Sequence, residues 1–247
     1  MTFGMICLQL LEGLGSSTLI FLLTLVFSLP LGLFVCFGRM STWAPFRRLD
    51  PDWRTRAIAG VSPAPGFKGW LSRVKPVRAI FVFFIAILRG TPLMLQLLVV
   101  CYGPYYLFGA RISTTWRFAA IIVGFVINYA AYFAEIYRSG IESIPPGQRE
   151  AAEVLGYTHN QTFYQIILPQ MIKRVLPPVT NEVITLVKDT SLAFVLAYAE
   201  MFTVAKQIAA AETSFAPLFV AGLFYFIFNA VVAWAMEKVE KSFSYYT

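Results

Sequence analysis

GLGSSTLIFLLTLVFSLPLGLFVCFG, residues 13–38, decides the fold class: the 26 residues between Glu12 and Arg39 carry no charge. Wound as an α-helix they reach about 39 Å, enough to cross a hydrocarbon core about 30 Å thick. The run is too long for a signal-peptide core, no basic segment precedes it and no small-residue cleavage site closes it, so it reads as a retained span. The rest of the chain agrees. Of 247 residues, 58% are apolar and 13% charged, whereas ordinary soluble domains carry roughly 25% charge. Mean hydropathy is +0.67. At about 20 apolar residues per span, the roughly 143 available allow at most about seven. A disordered regulator, a collagenous chain and a secreted disulfide scaffold are excluded.

Four further spans follow. A 21-residue uncharged run separates Arg89 from Arg111, preceded by apolar Ala79 to Leu88, which reads either as an interfacial lead-in or as the first half of a bent helix. Phe118 to Ala134 continues past Glu135 toward Arg138, and 24 uncharged residues run from Thr213 to Met236. Between these, Leu168 to Ala199 is apolar but interrupted by Lys173, Arg174, Pro177, Pro178, Glu182, Lys188 and Asp189. The expected fold is an all-α integral membrane protein, one domain over 1–247, with spans near 13–38, 79–109, 117–139, 168–200 and 213–237.

Basic residues give the orientation. Nine lie between the first two spans (Arg39, Arg47, Arg48, Arg54, Arg56, Lys68, Arg73, Lys75, Arg78). Arg138, Arg149, Lys173 and Arg174 flank the connection between the third and fourth spans, and Lys238 and Lys241 follow the fifth, making fifteen of twenty on one side. By the positive-inside rule that side is cytoplasmic, the N-terminus outside and the C-terminus inside. The net charge of +7 therefore reports orientation, and no nucleic-acid partner is expected. The 40–76 loop, with five prolines and with Trp43, Phe46, Trp53, Phe67 and Trp70 among its Arg and Lys, reads as a stretch lying on the anionic inner leaflet or contacting a cytoplasmic partner. Cys7, Cys36 and Cys101 lack metal or disulfide spacing, and no metal site is expected.

The most informative connection is SIPPGQREAAEVLGYTHNQTFYQIILPQM, Ser143 to Met171. Pro145, Pro146 and Gly147 stop one helix, and Arg149 to Leu155 restart another with Glu150 near its positive end. Gly156 suits a left-handed terminator, and Thr158 or Asn160 caps the next helix. The result is a short helical knob suited to docking, small Ala151 and Ala152 allowing close approach; a loop with one turn of helix fits the same residues.

REAAEVLGYTHNQTFYQIILPQ resembles the EAA signature of importer-type ABC-transporter permeases: Glu150-Ala151-Ala152, Gly156 six residues on, then Leu168-Pro169. RGTPLMLQL (Arg89 to Leu97), NYAAYFAEIYRSGI (Asn128 to Ile141) and LPPVTNEVITLVKDTSLAFVLAYAEM (Leu176 to Met201) are similar to the polar amino-acid permease subfamily (histidine, glutamine, arginine, cystine). The resemblance covers Gly13 to Lys241, and the 40–76 loop is some twenty residues longer than is usual in it. It implies a type I importer fold and a multi-pass subunit of the bacterial inner membrane. It implies a homodimer or homologous heterodimer of permeases, two ATP-binding subunits and an extracytoplasmic solute-binding protein. The 145–167 segment would be the coupling helix, with Arg149, Glu150, Ala151, Ala152, Gly156 and His159 facing the ATPase. The chain has no GxxxxGK[ST] loop, so ATP and Mg2+ are expected in the partner, with no cofactor and no catalytic residues here.

Ionisable groups at membrane depth persist where they face a cavity or a partner. Glu182 and Asp189, seven apart, are nearly eclipsed on a helix, with Thr185 between them; Asn181 and Lys188 form the next row. The stripe either lines a pore or is internally braced by Lys188. A zwitterionic amino acid needs an anion, here Glu182 or Asp189, and donors such as Thr190, Ser191 or free N–H groups at a helix break. Asn128 and Tyr132, and Gln96 and Tyr102, are further candidates that serve equally as helix-to-helix hydrogen bonds. Arg89 marks a kink or an interfacial anchor. A rival class is an ATP-independent carrier or channel using the Glu182/Lys188/Asp189 stripe for ion coupling; a third is a structural anchor.

Overall fold

The computed structural model describes residues 2–46 and 74–243. The sequence features between Arg47 and Arg73, with Trp53, Phe67 and Trp70, lie outside the described residues. Every regular element among the described residues is helical: α1 (Phe3–Met40), α2 (Pro76–Gly90), α3 (Leu93–Phe108), α4 (Thr114–Glu142), α5 (Gly147–Val154), α6 (Leu168–Asp189), α7 (Met201–Ala211) and α8 (Ala216–Ser242). A turn at His159–Gln161 and a π-helical segment, Thr162–Ile167, run directly into α6, and a 3₁₀ segment, Thr190–Leu196, continues it.

Helices α1, α4 and α8 are each long and apolar enough to cross a bilayer. The second uncharged stretch is not one straight span. α2 and α3 meet at 110°, and their 15 and 16 residues reach only about 22–24 Å each. The break follows from local chemistry, because Pro92 lacks an N–H and holds Thr91 in extended backbone (φ −121°, ψ 147°). Long-range amides fix it: Gln96 Nε2 donates to Leu88 O (2.8 Å) and Thr91 Oγ1 (2.9 Å), and Asn128 Nδ2 donates to Gln96 Oε1 (3.0 Å). A second bend, of 57°, separates the run ending at Leu196 from α7. The chain thus has three unbroken candidate spans, or five if each bent pair crosses once.

Packing centres on α4. Its buried Ile121, Phe125, Ala131 and Phe133 face α1, α3 and α6, with Leu97, Val183 and Leu186 completing the core. Without a hydrophobic driving force between helices in lipid, small residues decide how closely backbones approach. Gly32 lies against Phe133 and Ala130. Gly13 lies against α7, where a Cβ would stand 2.7 Å from Met201 Cα and 2.9 Å from its nitrogen. Backbone cannot rotate aside, so Gly13→Ala is expected to destabilise the fold by about 1–3 kcal/mol. A melting midpoint in detergent equal to that of the parent chain would show that α1 and α7 separate freely.

Behind this contact lies a buried carboxylate. Glu200 caps α7, accepting from Phe202 N (2.7 Å), Thr203 N (2.6 Å) and Thr203 Oγ1 (2.8 Å). The hydroxyls of Tyr225 on α8 (3.1 Å) and Ser17 on α1 (3.5 Å) donate to Oε2, the oxygen that also accepts from Phe202 N, while both Thr203 bonds go to Oε1. One side chain therefore ties three helices. At the opposite end of α4, Glu135 bridges Arg39 and Arg138, and Arg138 also reaches Glu142.

Candidate functional site

Helices α4 and α6 face each other with polar side chains at helical spacing. Tyr132, Glu135, Ser139 and Ser143 line one stripe of α4, and Arg174, Pro178 and Glu182, four apart, line one stripe of α6. Arg89, the penultimate residue of α2, closes the wall, leaving a cavity of about 360 Å³. Its position follows from the α2–α3 break: the bend at Gly90–Pro92 carries the end of α2 against α4, where the Arg89 guanidinium carbon lies 5.2 Å from the centre of the Tyr132 ring.

The charges of the cavity are not equivalent. Glu135 is committed to Arg39 and Arg138, and Arg174 donates to Ser143 O. Arg89 and Glu182 form no ion pair among the described residues. Among the described residues the cavity therefore presents a cation lying over an aromatic ring and a carboxylate, neither in an ion pair, in a volume suited to a small ligand.

The sequence-predicted residues divide accordingly. Glu182 and Tyr132 line the cavity. Asp189, two turns along, does not; its Oδ2 accepts from the Tyr129 hydroxyl at 2.8 Å. Lys188 is exposed and forms no ion pair with either acid among the described residues. Thr185 donates to Asn181 O (2.9 Å), Thr190 to Val187 O (2.8 Å) and Ser191 to Lys188 O (2.8 Å), so each hydroxyl proton is spent within its own helix. Asn181 is exposed. Asn128 and Gln96 hold the α2–α3 break, and Tyr102 packs on the core. Lys188 thus faces outward, and Asp189 is bonded to Tyr129.

Arg89 and Glu135 are among the cavity residues that fall outside the predicted ligand set. Arg89 was readable only as a kink or anchor, because the 110° bend that delivers it is tertiary. Glu135 stood in plain view as a carboxylate inside an apolar run, the usual mark of a functional or paired group.

The connection between α4 and α6 forms a projecting elbow. Gly156 takes φ +77° after α5, and Tyr157 N donates back to Ala152 O (3.0 Å). Thr158, not Asn160, caps the next turn in a reciprocal box with Gln161. Ala152 is buried while Ala151 faces outward, so only one of the two small residues is free for close approach from outside. Glu150 is exposed, as are the apolar Val154 and Leu155 at the tip. Arg149, Glu153, Tyr157, His159 and Phe163 line a recess of about 410 Å³ inside the elbow.

Residues 57–245 match the family described as binding-protein-dependent transport system inner membrane component. The arginine transport system permease protein ArtQ of Bacillus subtilis is 30% identical over 233 residues, covering 94% of this chain and 91% of that protein. The L-cystine transport system permease protein TcyB of the same organism is 41% identical over 140 residues, 57% of this chain and 58% of that one. A crystal structure of an amino acid ABC transporter with histidines aligns with a TM-score of 0.75 at 28% identity, covering 95% and 94% of the two chains. The match through α4, the elbow and α6 takes in the cavity as well as the scaffold, and the chain belongs to the family of binding-protein-dependent transport system inner membrane components.

Proposed function

We propose that this chain is the membrane-spanning permease subunit of an ATP-driven importer for a polar amino acid. The observation that carries the reading is that Arg89 and Glu182 line one small cavity. A zwitterion brings its own carboxylate and ammonium to a guanidinium that lies over the Tyr132 ring and to a carboxylate, neither of which is held in an ion pair among the described residues. The names of ArtQ and TcyB support amino-acid cargo.

In this reading five spans, two of them bent, cross a bacterial inner membrane with the N-terminus outside and the C-terminus in the cytoplasm. A second permease chain, identical or homologous, completes the pathway. Two ATPase subunits, holding ATP and Mg2+, dock on the elbow, and an extracytoplasmic solute-binding protein delivers cargo from the other side. ATP hydrolysis belongs to the partners, whose closure moves α4 and α6 through the elbow. Neither the carrier nor the anchor reading has a comparable observation behind it.

The test is copurification with mass-spectrometric identification of the partners. Proline at position 156 cannot adopt a positive φ, so Gly156→Pro is expected to lower the recovered ATPase at least about tenfold while the chain itself remains in the membrane. Partner recovery and uptake like those of the parent chain would overturn docking through the elbow.

A further inference from the structure

We infer that a second cavity, between the start of α6, the start of α5 and the end of α8, binds the headgroup of an anionic phospholipid. The cavity measures about 720 Å³, and Lys173, Arg174, Gln148, Leu168, Ile172 and Phe243 contribute to its wall. Among the described residues no carboxylate lines it. Two cations thus stand over a mixed amide and apolar floor, a lining that fits a phosphodiester with the beginning of its acyl chains. Gln170 Nε2 donates to Gln148 Oε1 at 3.3 Å, joining α6 to α5 across one side. A smaller recess of about 290 Å³ shares Lys173 and Phe243 and is lined further along α8 by Glu240 and Lys241.

Continuity with an exposed apolar helix face points to a lipid as the occupant. Helix α8 is apolar up to Met236 apart from Tyr225 and Asn229, and only 6% of its most apolar stretch is buried. Phe226, Ile227, Val231 and Trp234 are exposed along it. The stripe ends where Lys238 Nζ stands 3.9 Å from the centre of the Trp234 ring, a pairing of interfacial Trp with a snorkelling Lys that marks the headgroup level. The cavity opens just beyond that mark. A lipid whose chains lie on α8 meets two positive charges at its phosphate, and an anionic headgroup is favoured over a zwitterionic one because it brings no ammonium to repel them.

Native mass spectrometry of the full-length chain, purified with its partners and titrated with phosphatidylglycerol or phosphatidylcholine of identical acyl chains, tests this directly. Phosphatidylglycerol is expected to remain bound at activation energies that strip phosphatidylcholine. Lys173→Gln is expected to lower that retention at least about fivefold, Lys173→Arg to restore it, and the distant Lys206→Gln to leave it unchanged. Equal retention of the two lipids, or undiminished retention in Lys173→Gln, overturns the assignment. So does a Phe243→Cys variant whose copies join through the introduced thiol, since a second chain would then cover the cavity. The readout is lipid retention, so its failure is distinguishable from a failure of the transport reading.

Discussion

Glu200→Ala is expected to be the most destabilising single change in the chain, lowering stability by about 3 kcal/mol or more. The carboxylate is fully buried and accepts from two backbone N–H groups and three hydroxyls on three helices. Loss of a helix cap alone costs about 1 kcal/mol, and each buried donor left without an acceptor adds about 1–3 kcal/mol. Ser17 keeps its alternative bond to Gly13 O, which limits the damage on α1; Tyr225 has no such relief within its own helix. Glu200→Gln preserves one carbonyl acceptor and should fall between the two. The measurement is the thermal midpoint in detergent together with the monodisperse fraction on size exclusion. A Glu200→Ala chain melting within about two degrees of the parent would show that the junction does not hold the three helices together.

Glu182→Gln should leave folding and ATPase copurification intact while lowering amino-acid uptake at least about tenfold. The substitution keeps the shape of the side chain and removes only its charge. Glu182 is half-buried and Arg89 exposed, and a loss of about 1.4 kcal/mol of binding is already tenfold. Arg89→Gln is expected to have a comparable effect through the other end of the zwitterion. Asp189→Asn differs, because Asp189 is bonded to Tyr129 rather than open to the cavity, so its effect should appear in stability as much as in uptake. Uptake kinetics unchanged in Glu182→Gln would remove that residue from the pathway.

What the sequence conveyed and what it withheld divide along a physical line. Interactions within about one helical turn were legible. The uncharged runs marked α1, α4 and α8, Gly156 announced its left-handed turn, and Thr158 its cap. Interactions that depend on where a distant segment lies were not. Gly90-Thr91-Pro92 signalled a break, but its 110° angle is stabilised by Asn128, 32 residues from Gln96. Periodicity put Lys188 one row round from Glu182 and could not say that this row faces outward. Glu200 closed a span by hydropathy alone and gave no hint that Ser17 and Tyr225 would converge on it.

The 3₁₀ segment Thr190–Leu196 joins two of these features, with Asp189 at one end and Glu200 just past the other. Seven residues wound at about 2.0 Å each cover about 14 Å, whereas an α-helix covers about 10.5 Å with the same residues. They also turn about 140° further, because each residue advances about 120° instead of about 100°. Conversion between the two windings is therefore a screw movement: it draws α7 toward the core by about 3.5 Å while rotating it through more than a third of a turn. Because Glu200 fastens α7 to α1 and α8, such a movement cannot be absorbed by α7 alone. Tightening or relaxing this short coil is a length adjustment that three helices must share.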